Sequence, residues 1–165
     1  MSVSLEDIYA AGARVGGLLK DRKETVAVAE SSAGGLISAA LLAVPGASAY
    51  FLGGGVIYTR EARRALLQLP DERTRMRGAT EEYAQLAAQT IREQLETTWG
   101  LSESGATGPT GNRYGNDAGH ACFALAGPVE RAITLETGIA DRAENMARFT
   151  VAALEFLEAA LRETA

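Results

Sequence analysis

The chain contains a short apolar run that stops abruptly at a turn, and few folds can accommodate such a segment. Residues 25–29 are apolar or β-branched, and residues 30–35, which read Glu-Ser-Ser-Ala-Gly-Gly, follow them directly. A run of this length is typical of a buried strand, and serines and glycines are turn-forming residues. The pattern therefore predicts a strand that passes through a tight turn into a helix, which is the building unit of α/β proteins.

The rest of the chain alternates between helical and strand-like patterns. Apolar residues at helical spacing predict a first helix over residues 4–20 and a last one from residue 141, the most regular in the chain. Further helices are predicted at 35–44, 60–67 and from residue 80 to before residue 100, strands at 50–58, 120–125 and 131–135, and a strand or glycine-rich loop before residue 120. Without a linker or repeat, residues 1–165 are expected to form a single domain. The predicted fold class is α/β, a three-layer α/β/α domain in which helices cover a mixed sheet.

Charge and hydropathy exclude several classes of protein. Lys and Arg number 16 against 21 Asp and Glu, which gives a net charge of −5 and disfavours binding to a nucleic-acid backbone. The longest stretch without a charged residue, 31–59, contains Pro45 and six glycines, so no membrane span is expected. The first residues lack the basic and apolar blocks of a secretory signal, and a cytoplasmic location is expected.

The only cysteine, Cys122, and the only histidine, His120, cannot form a disulfide or an ordinary zinc site by themselves. No metal and no cofactor are therefore expected. On a strand, both side chains would share one face with Ala124 and with no acidic residue to orient the ring. The sequence predicts that both are packed in the core and that neither contributes to turnover.

Two segments with hydroxyl side chains are candidate sites. In residues 30–35, unpaired N–H groups at the start of a helix would favour an anion or a developing oxyanion. The alternative there is a serine that caps the helix, with glycines that allow close packing. In residues 45–49, a turn of small residues would present the hydroxyl of Ser48 as a nucleophile, and the alternative is an ordinary turn serine.

Two further segments are candidate binding sites. Arg60 and Arg63 are three residues apart, so they would share a helix face suited to phosphate, and the alternative is a solvated surface. Residues 105–111 carry glycines at the spacing of a dinucleotide-binding turn. No helix can easily continue from Asn112, so a glycine-rich ligand loop is favoured over an NAD site.

Together and in this order, the four segments resemble the C-terminal domain of the competence/damage-inducible CinA family, which includes bacterial nicotinamide mononucleotide deamidases. The family's Ala-Glu-Ser-Cys-Thr-Gly-Gly segment corresponds to residues 29–35 and its Pro-Gly-Ser-Ser-Ala segment to residues 45–49. Its Tyr-Ser-Asn-Glu-Ala-Lys segment corresponds to residues 58–63 and its Gly-Ile-Ala-Gly-Pro loop to residues 105–109. The joint occurrence of four motifs over nearly the whole chain is much more specific than any one of them.

The resemblance implies hydrolysis of the carboxamide of nicotinamide mononucleotide to nicotinate mononucleotide and ammonia, without a metal or cofactor. It implies that Ser48 is the nucleophile and that Tyr58 and the residue at position 63 assist it. The residues expected to bind the substrate are Glu30, Ser32, Gly34, Gly35, Arg60, Ser104, Gly105, Thr107, Gly108 and Arg142.

Three departures from the family pattern affect this chemistry. Arg63 stands in place of a lysine, Arg60 in place of an asparagine, and Met146 in place of a basic residue. Because an arginine stays protonated, it cannot act as a neutral base. We therefore expect Tyr58 or Ser31 to transfer the proton. The alternative function is non-catalytic or differently specific binding of a nucleotide or another phosphorylated small molecule.

Two expectations concern geometry and assembly. Because each candidate side chain adjoins a predicted strand, we expect Ser31, Ser48, Tyr58 and Ser104 to meet in one cleft at the ends of the strands. The expected partners are a small nucleotide substrate and a second copy of the chain in a homo-oligomer, most simply a dimer.

Overall fold

A five-stranded mixed sheet forms the middle layer of the computed structural model, which describes residues 1–165. The helices are α1 Leu5–Arg22, α2 Leu36–Leu42, α3 Arg60–Ala65, α4 Asp71–Thr74, α5 Glu81–Leu95 and α6 Arg142–Glu163. The strands are β1 Val26–Glu30, β2 Phe51–Val56, β3 Trp99–Ala106, β4 His120–Ala126 and β5 Arg131–Glu136. A single turn of 3₁₀ helix, Ala47–Ala49, precedes β2.

The sheet has the strand order β2-β1-β3-β4-β5. β1 runs parallel to both β2 and β3, whereas β3, β4 and β5 pair antiparallel. The predicted hairpin of β4 and β5 and the mixed sheet are therefore confirmed. β1, β2 and β3 all end at one edge of the sheet, and the segments that follow them meet there.

Helices cover both faces of the sheet, as the predicted fold class requires. Val26 and Val28 of β1 pack into the core beneath α1, α2 and α6, whereas Ala27 and Ala29 face α5. Small residues let α5 lie close to the sheet, since a Cβ built on Gly100 would be 2.2 Å from the carbonyl oxygen of Ala88. None of the helices is long and apolar enough to cross a membrane.

Two predicted elements differ from those observed. The helix predicted over residues 60–67 ends at Ala65, and a second short helix, α4, follows it. The stretch that the sequence left as strand or loop contains β3, an eight-residue strand that includes the polar residues Ser102, Glu103 and Ser104. These three side chains are buried and hydrogen-bonded, which allows a polar sequence to form a central strand.

Candidate active site

A cavity of about 600 Å³ opens at the edge where β1, β2 and β3 end. Its walls come from the turn after β1, the start of α3, the segment before α5 and the glycine-rich loop after β3. The lining residues are Ser31, Tyr58, Thr59, Arg60, Glu61, Arg63, Gly78, Ala79, Ser104, Gly105, Asn112, Arg113 and Tyr114. Three of the four residues expected to share a cleft, Ser31, Tyr58 and Ser104, therefore lie in one cavity.

Glu30 is a helix cap rather than a substrate-binding residue. Its side chain is fully buried, and its carboxylate accepts hydrogen bonds from the backbone N–H groups of Gly35, Ile37 and Ser38 at 2.9, 3.1 and 2.9 Å. The hydroxyl of Ser38 donates a fourth hydrogen bond at 2.8 Å. The N-terminus of α2 is therefore occupied by a carboxylate of the chain itself, and the expectation that Glu30 binds substrate is wrong.

A second buried carboxylate, Glu103, fills the other half of the turn. It accepts hydrogen bonds from the N–H groups of Ser31 and Ala33 at 2.9 and 2.8 Å and from the hydroxyl of Ser32. Burial raises the pKa of Glu103 above its ordinary value. Because these donors are taken and Ser32 is buried, Ser32 does not reach the cleft. The hydroxyl of Ser31 forms no hydrogen bond within the chain and faces the cavity.

The two glycines of the turn allow its backbone conformation. Gly34 and Gly35 have φ values of +70° and +99°, a left-handed conformation that glycine adopts without strain. A Cβ on Gly34 would lie 2.8 Å from the Cε of Met146, so that methionine packs directly on the turn. Neither glycine is among the residues that line the cavity, and their expected role in substrate binding stays a prediction.

The two arginines of α3 differ in environment. Arg60 is exposed at the cavity, whereas Arg63 turns inward. Nη1 of Arg63 donates to the carbonyl oxygens of Thr74 and Met76 at 3.1 and 2.6 Å, and its guanidinium lies 3.9 Å from the centre of the Tyr83 ring. Its Nε is buried without a hydrogen-bond partner. Arg63 therefore anchors the segment before α5 and also contributes to the cleft.

Arg142 links Tyr58 to the glycine-rich loop. The guanidinium donates from Nη2 to the Tyr58 hydroxyl at 3.1 Å and from Nη1 to the carbonyl oxygen of Gly108 at 2.6 Å. Tyr58 itself is exposed. Arg142 is exposed and is not among the residues that line the cavity, but it links Tyr58, which does line it, to the loop at Gly108.

The glycine-rich loop brings residues to the cleft that the sequence analysis missed. The guanidinium groups of Arg77 and Arg113 each lie over the ring of Tyr114, 5.0 Å from its centre. Nη2 of Arg113 donates to the Tyr114 hydroxyl at 2.8 Å, and this hydrogen bond lowers the pKa of Tyr114. The sequence signal for this part of the cleft is the basic and aromatic pair Arg113-Tyr114 within a glycine-rich loop.

His120 has an acidic partner, contrary to expectation. Its Nδ1 contacts the carboxylate of Glu136, because β4 and β5 place the two residues opposite each other. Its Nε2 lies 2.8 Å from the carbonyl oxygen of Ala79, in the wall of the cleft. Cys122 is buried, as expected, and burial raises the pKa of its thiol.

Ser48 does not lie in the cleft. It sits in the 3₁₀ turn before β2, and the start of β2 pairs with Val26 at the start of β1. The cleft lies at the opposite ends of these strands. A strand of six residues such as β2 is roughly 20 Å long, so Ser48 and the cleft are separated by about that length. The prediction that Ser48 joins Ser31, Tyr58 and Ser104 within one chain is therefore wrong.

Two further predicted residues lie behind the cleft rather than in it. Thr107 is buried, and its carbonyl oxygen accepts a hydrogen bond from Asn145 at 2.8 Å. Gly108 is buried and directs its carbonyl oxygen at Arg142. Gly105 does line the cavity, and a side chain there would collide with Phe149 and with the strand β4.

The charge of the cleft is opposite to that of the whole chain. Arg60, Arg63 and Arg113 line it against a single carboxylate, Glu61, although the chain carries a net charge of −5. A cavity of this size is within the range of small-molecule sites. Its positive lining is suited to a small anion such as a phosphate ester or a carboxylate.

Comparison with known proteins agrees with this fold. Residues 9–161 match the family model of the CinA C-terminal domain. A CinA-like protein of Desulforapulum autotrophicum is 40% identical over 143 residues, which are 85% of this chain and 34% of that protein. A CinA-like protein of Cyanothece is 43% identical over 115 residues, 69% of this chain and 28% of that protein. The chain thus spans about a third of the length of these curated relatives.

Solved structures extend the likeness to the whole fold. A CinA superfamily protein of Klebsiella pneumoniae has a TM-score of 0.88 and 25% identity, over 94% of this chain and 98% of that one. The competence/damage-inducible protein CihA of Agrobacterium tumefaciens has a TM-score of 0.83 and 27% identity, over 94% and 96%. On the match of its residues 9–161, the chain belongs to the CinA family through that family's C-terminal domain.

Proposed function

We propose that the cleft binds nicotinamide mononucleotide and hydrolyses its carboxamide, giving nicotinate mononucleotide and ammonia. The observation that carries the proposal is the free hydroxyl of Ser31 in a cavity lined by Arg60, Arg63 and Arg113. Family membership and the resemblance of the four motifs supply the substrate class. The cavity supports the proposal with guanidinium groups suited to a phosphate and with the hydroxyl-bearing Ser31 in the same lining.

The arginines support phosphate binding in different ways. Arg60 and Arg113 are exposed at the cavity and have guanidinium groups that can bind a phosphate in a bidentate manner. Arg63 also lines the cavity, and its positive charge adds to the attraction for an anion there although its Nη1 is bonded to two carbonyl oxygens. Arg60 stands where the family has a neutral asparagine, so this departure adds a positive charge to the cavity and favours recognition of an anion.

In the proposed reaction, the oxygen of Ser31 attacks the carboxamide carbon and the C–N bond breaks. The hydroxyl proton passes through a base to the departing nitrogen, which leaves as ammonia, and water then hydrolyses the serine ester to the carboxylic acid. Tyr58 and Tyr114 both line the cleft, and a phenol hydroxyl can relay the proton from Ser31 to the departing nitrogen. Because Glu30 and Glu103 occupy the N–H groups of the turn, the guanidinium groups would stabilise the oxyanion.

The second candidate function is binding without hydrolysis. One observation favours it: Arg63, at the position of the family lysine, is committed to two carbonyl oxygens and cannot act as a base. The cleft would then recognise a nucleotide or another phosphorylated small molecule by its phosphate alone.

Ammonia release by the purified chain tests the proposal. We expect turnover of nicotinamide mononucleotide, and we expect Ser31→Ala to reduce kcat by about a thousandfold or more, as removal of a nucleophile does. Ser48→Ala serves as the control, because Ser48 lies at the opposite edge of the sheet.

The outcomes separate three cases. Loss of activity in Ser48→Ala but not in Ser31→Ala would overturn the assignment of Ser31, and a second copy of the chain would then have to supply Ser48. Tight binding of nicotinamide mononucleotide without ammonia release would establish the non-catalytic alternative. Absence of both binding and release would refute the proposed function.

A further inference from the structure

Both backbone polar groups of Ala79, in the wall of the cleft, are held by side chains from the sheet. Its N–H donates to the hydroxyl oxygen of Ser104 at 2.9 Å, and its carbonyl oxygen faces Nε2 of His120 at 2.8 Å. Ala79 is itself 6% exposed and lines the cavity. The part of the cleft wall that residues 78 and 79 form, here called the wall, is therefore attached to β3 through Ser104 and to β4 through His120.

Ala79 adopts a backbone conformation that it would not retain by itself. Its φ is +54°, in the left-handed region that disfavours any residue with a Cβ. Lys23 and Glu96 have similar values, but they close the C-termini of helices, where this conformation is common. Ala79 instead precedes Thr80, the N-cap of α5. Its conformation thus depends on the hydrogen bonds from the sheet, those with Ser104 and His120 and a weaker, longer one of 3.4 Å that the thiol of Cys122 donates to the same carbonyl oxygen.

The ring of His120 is fixed from its other side. His120 is 7% exposed, and its Nδ1 contacts the carboxylate of Glu136 on β5. A carbonyl oxygen only accepts hydrogen bonds, so Nε2 carries a proton and donates it to Ala79. The sulfur of Cys122 is 3.8 Å from the same nitrogen, but that proton already points at Ala79 and the thiol is buried. The three residues are therefore not a nucleophile, base and acid.

The wall is also coupled to an arginine of the cleft. A Cβ built on Gly78, the residue before Ala79, would lie 2.8 Å from Nη2 of Arg63. The backbone at Gly78 therefore packs directly on that guanidinium. A shift of the wall would therefore displace the guanidinium of Arg63. If the hydrogen bonds that hold the wall were lost, Arg63 would no longer have a fixed position in the cleft.

We propose that His120, oriented by Glu136, is a positioning residue that fixes Ala79 and thereby the wall of the cleft against Arg63. It touches neither substrate nor nucleophile, so it acts on substrate affinity more than on the chemical step. The part of this inference that concerns affinity rests on the proposed function, whereas the part that concerns the wall does not.

Two substitutions of His120 test the role. His120→Gln keeps an N–H donor near the position of Nε2, whereas His120→Leu keeps a similar volume without a donor. We expect His120→Leu to speed hydrogen exchange at the Ala79 amide on the order of tenfold, the loss that one hydrogen bond predicts. We also expect KM for nicotinamide mononucleotide to rise about tenfold while kcat changes by less than about threefold. His120→Gln should restore both quantities to within about threefold of the original chain.

Glu136→Gln tests the orienting contact. It should produce a smaller change than His120→Leu in the same two quantities, because the glutamine amide has both an oxygen that accepts and an NH₂ group that donates, so it can hydrogen-bond to Nδ1 whether or not that nitrogen carries a proton. Glu130→Gln is the matched control, since Glu130 is also exposed near β5 and contacts Gln89 instead of His120. We expect no change in that variant.

Several results would overturn the inference. An unchanged rate of hydrogen exchange at the Ala79 amide in His120→Leu would show that the histidine does not hold the wall. If His120→Gln had the same exchange rate and the same KM as His120→Leu, the N–H donor would be irrelevant. Faster exchange with an unchanged KM would refute the effect on affinity. If the original chain releases no ammonia, the proposed hydrolysis fails. The inference is then decided by comparing the rate of exchange at the Ala79 amide and the dissociation constant of nicotinamide mononucleotide between the original chain and the His120 variants.

Discussion

The turn at residues 30–35 and the arginines on the other side of the cleft both offer hydrogen-bond donors to an anion, but they differ in what already occupies them. The N–H groups of the turn are bonded to the buried carboxylates of Glu30 and Glu103. The guanidinium of Arg60, in contrast, is exposed at the cavity and has no carboxylate partner. The N–H groups of a turn whose sequence is typical of an anion site can thus be occupied by carboxylates of the same chain.

This difference separates stability from binding. Removing a carboxylate from the turn should leave buried donors without acceptors and destabilise the fold. Removing a guanidinium from the open side should leave the fold intact and weaken binding of the anion. The following substitutions test that separation.

Glu30→Ala should have the largest effect. It removes the acceptor of three backbone N–H groups and one hydroxyl at a fully buried position, so we expect a loss of about 3 to 5 kcal/mol in the free energy of unfolding. Unfolding in urea measures this loss. Glu61→Ala, an exposed glutamate in the first turn of α3, should cost less than about 1 kcal/mol. An equal loss in both variants would contradict the role of Glu30 as a cap.

Arg60→Ala should have the next largest effect, and it should be confined to binding. We expect the dissociation constant of nicotinamide mononucleotide to rise by about tenfold to a hundredfold, the range for one hydrogen bond to a charged group. Titration calorimetry measures this constant. The matched control is Arg64→Ala, since Arg64 is on the same helix but pairs with Asp71 at 3.4 Å and does not line the cavity. Equal weakening in both variants would show that only general charge matters.

The smallest effect concerns the pH dependence of stability. Burial raises the pKa of Glu103 above its ordinary value of 4.5, so the folded chain retains this proton at a pH where the unfolded chain has lost it. The free energy of unfolding therefore decreases as the pH rises from that value through the raised pKa. Glu103→Gln should lack this decrease, whereas Glu61→Gln should keep it. Urea unfolding at a series of pH values measures both, and identical pH profiles for the two variants would refute the prediction.

Much of the fold was predictable because its signals are local. The apolar run before Glu30, the side-chain caps at Thr80 and Asp141 and the spacing along α6 each depend on neighbouring residues. The grouping of Ser31, Tyr58 and Ser104 was predictable as well, since each follows or lies near the end of a strand in the parallel part of the sheet.

The remaining features depend on contacts between distant segments. Glu103 lies in a strand without an apolar pattern, and only the fold shows that it meets Ser31, 72 residues away. Ser48 was misplaced because it precedes its strand, and the start of a parallel strand lies at the edge opposite to its end. The pairing of His120 with Glu136 required the register of β4 and β5, which residue patterns alone do not determine.

The positive cleft in an acidic chain also has a kinetic consequence. With a net charge of −5, most of the surface repels a phosphorylated molecule, and the opening flanked by Arg60 and Arg113 attracts it. Encounters that lead to binding are thus guided toward one opening. Salt shortens the reach of this field, from about 10 Å at 0.1 M to about 3 Å at 1 M ionic strength, so the association rate constant should fall steeply as salt is added.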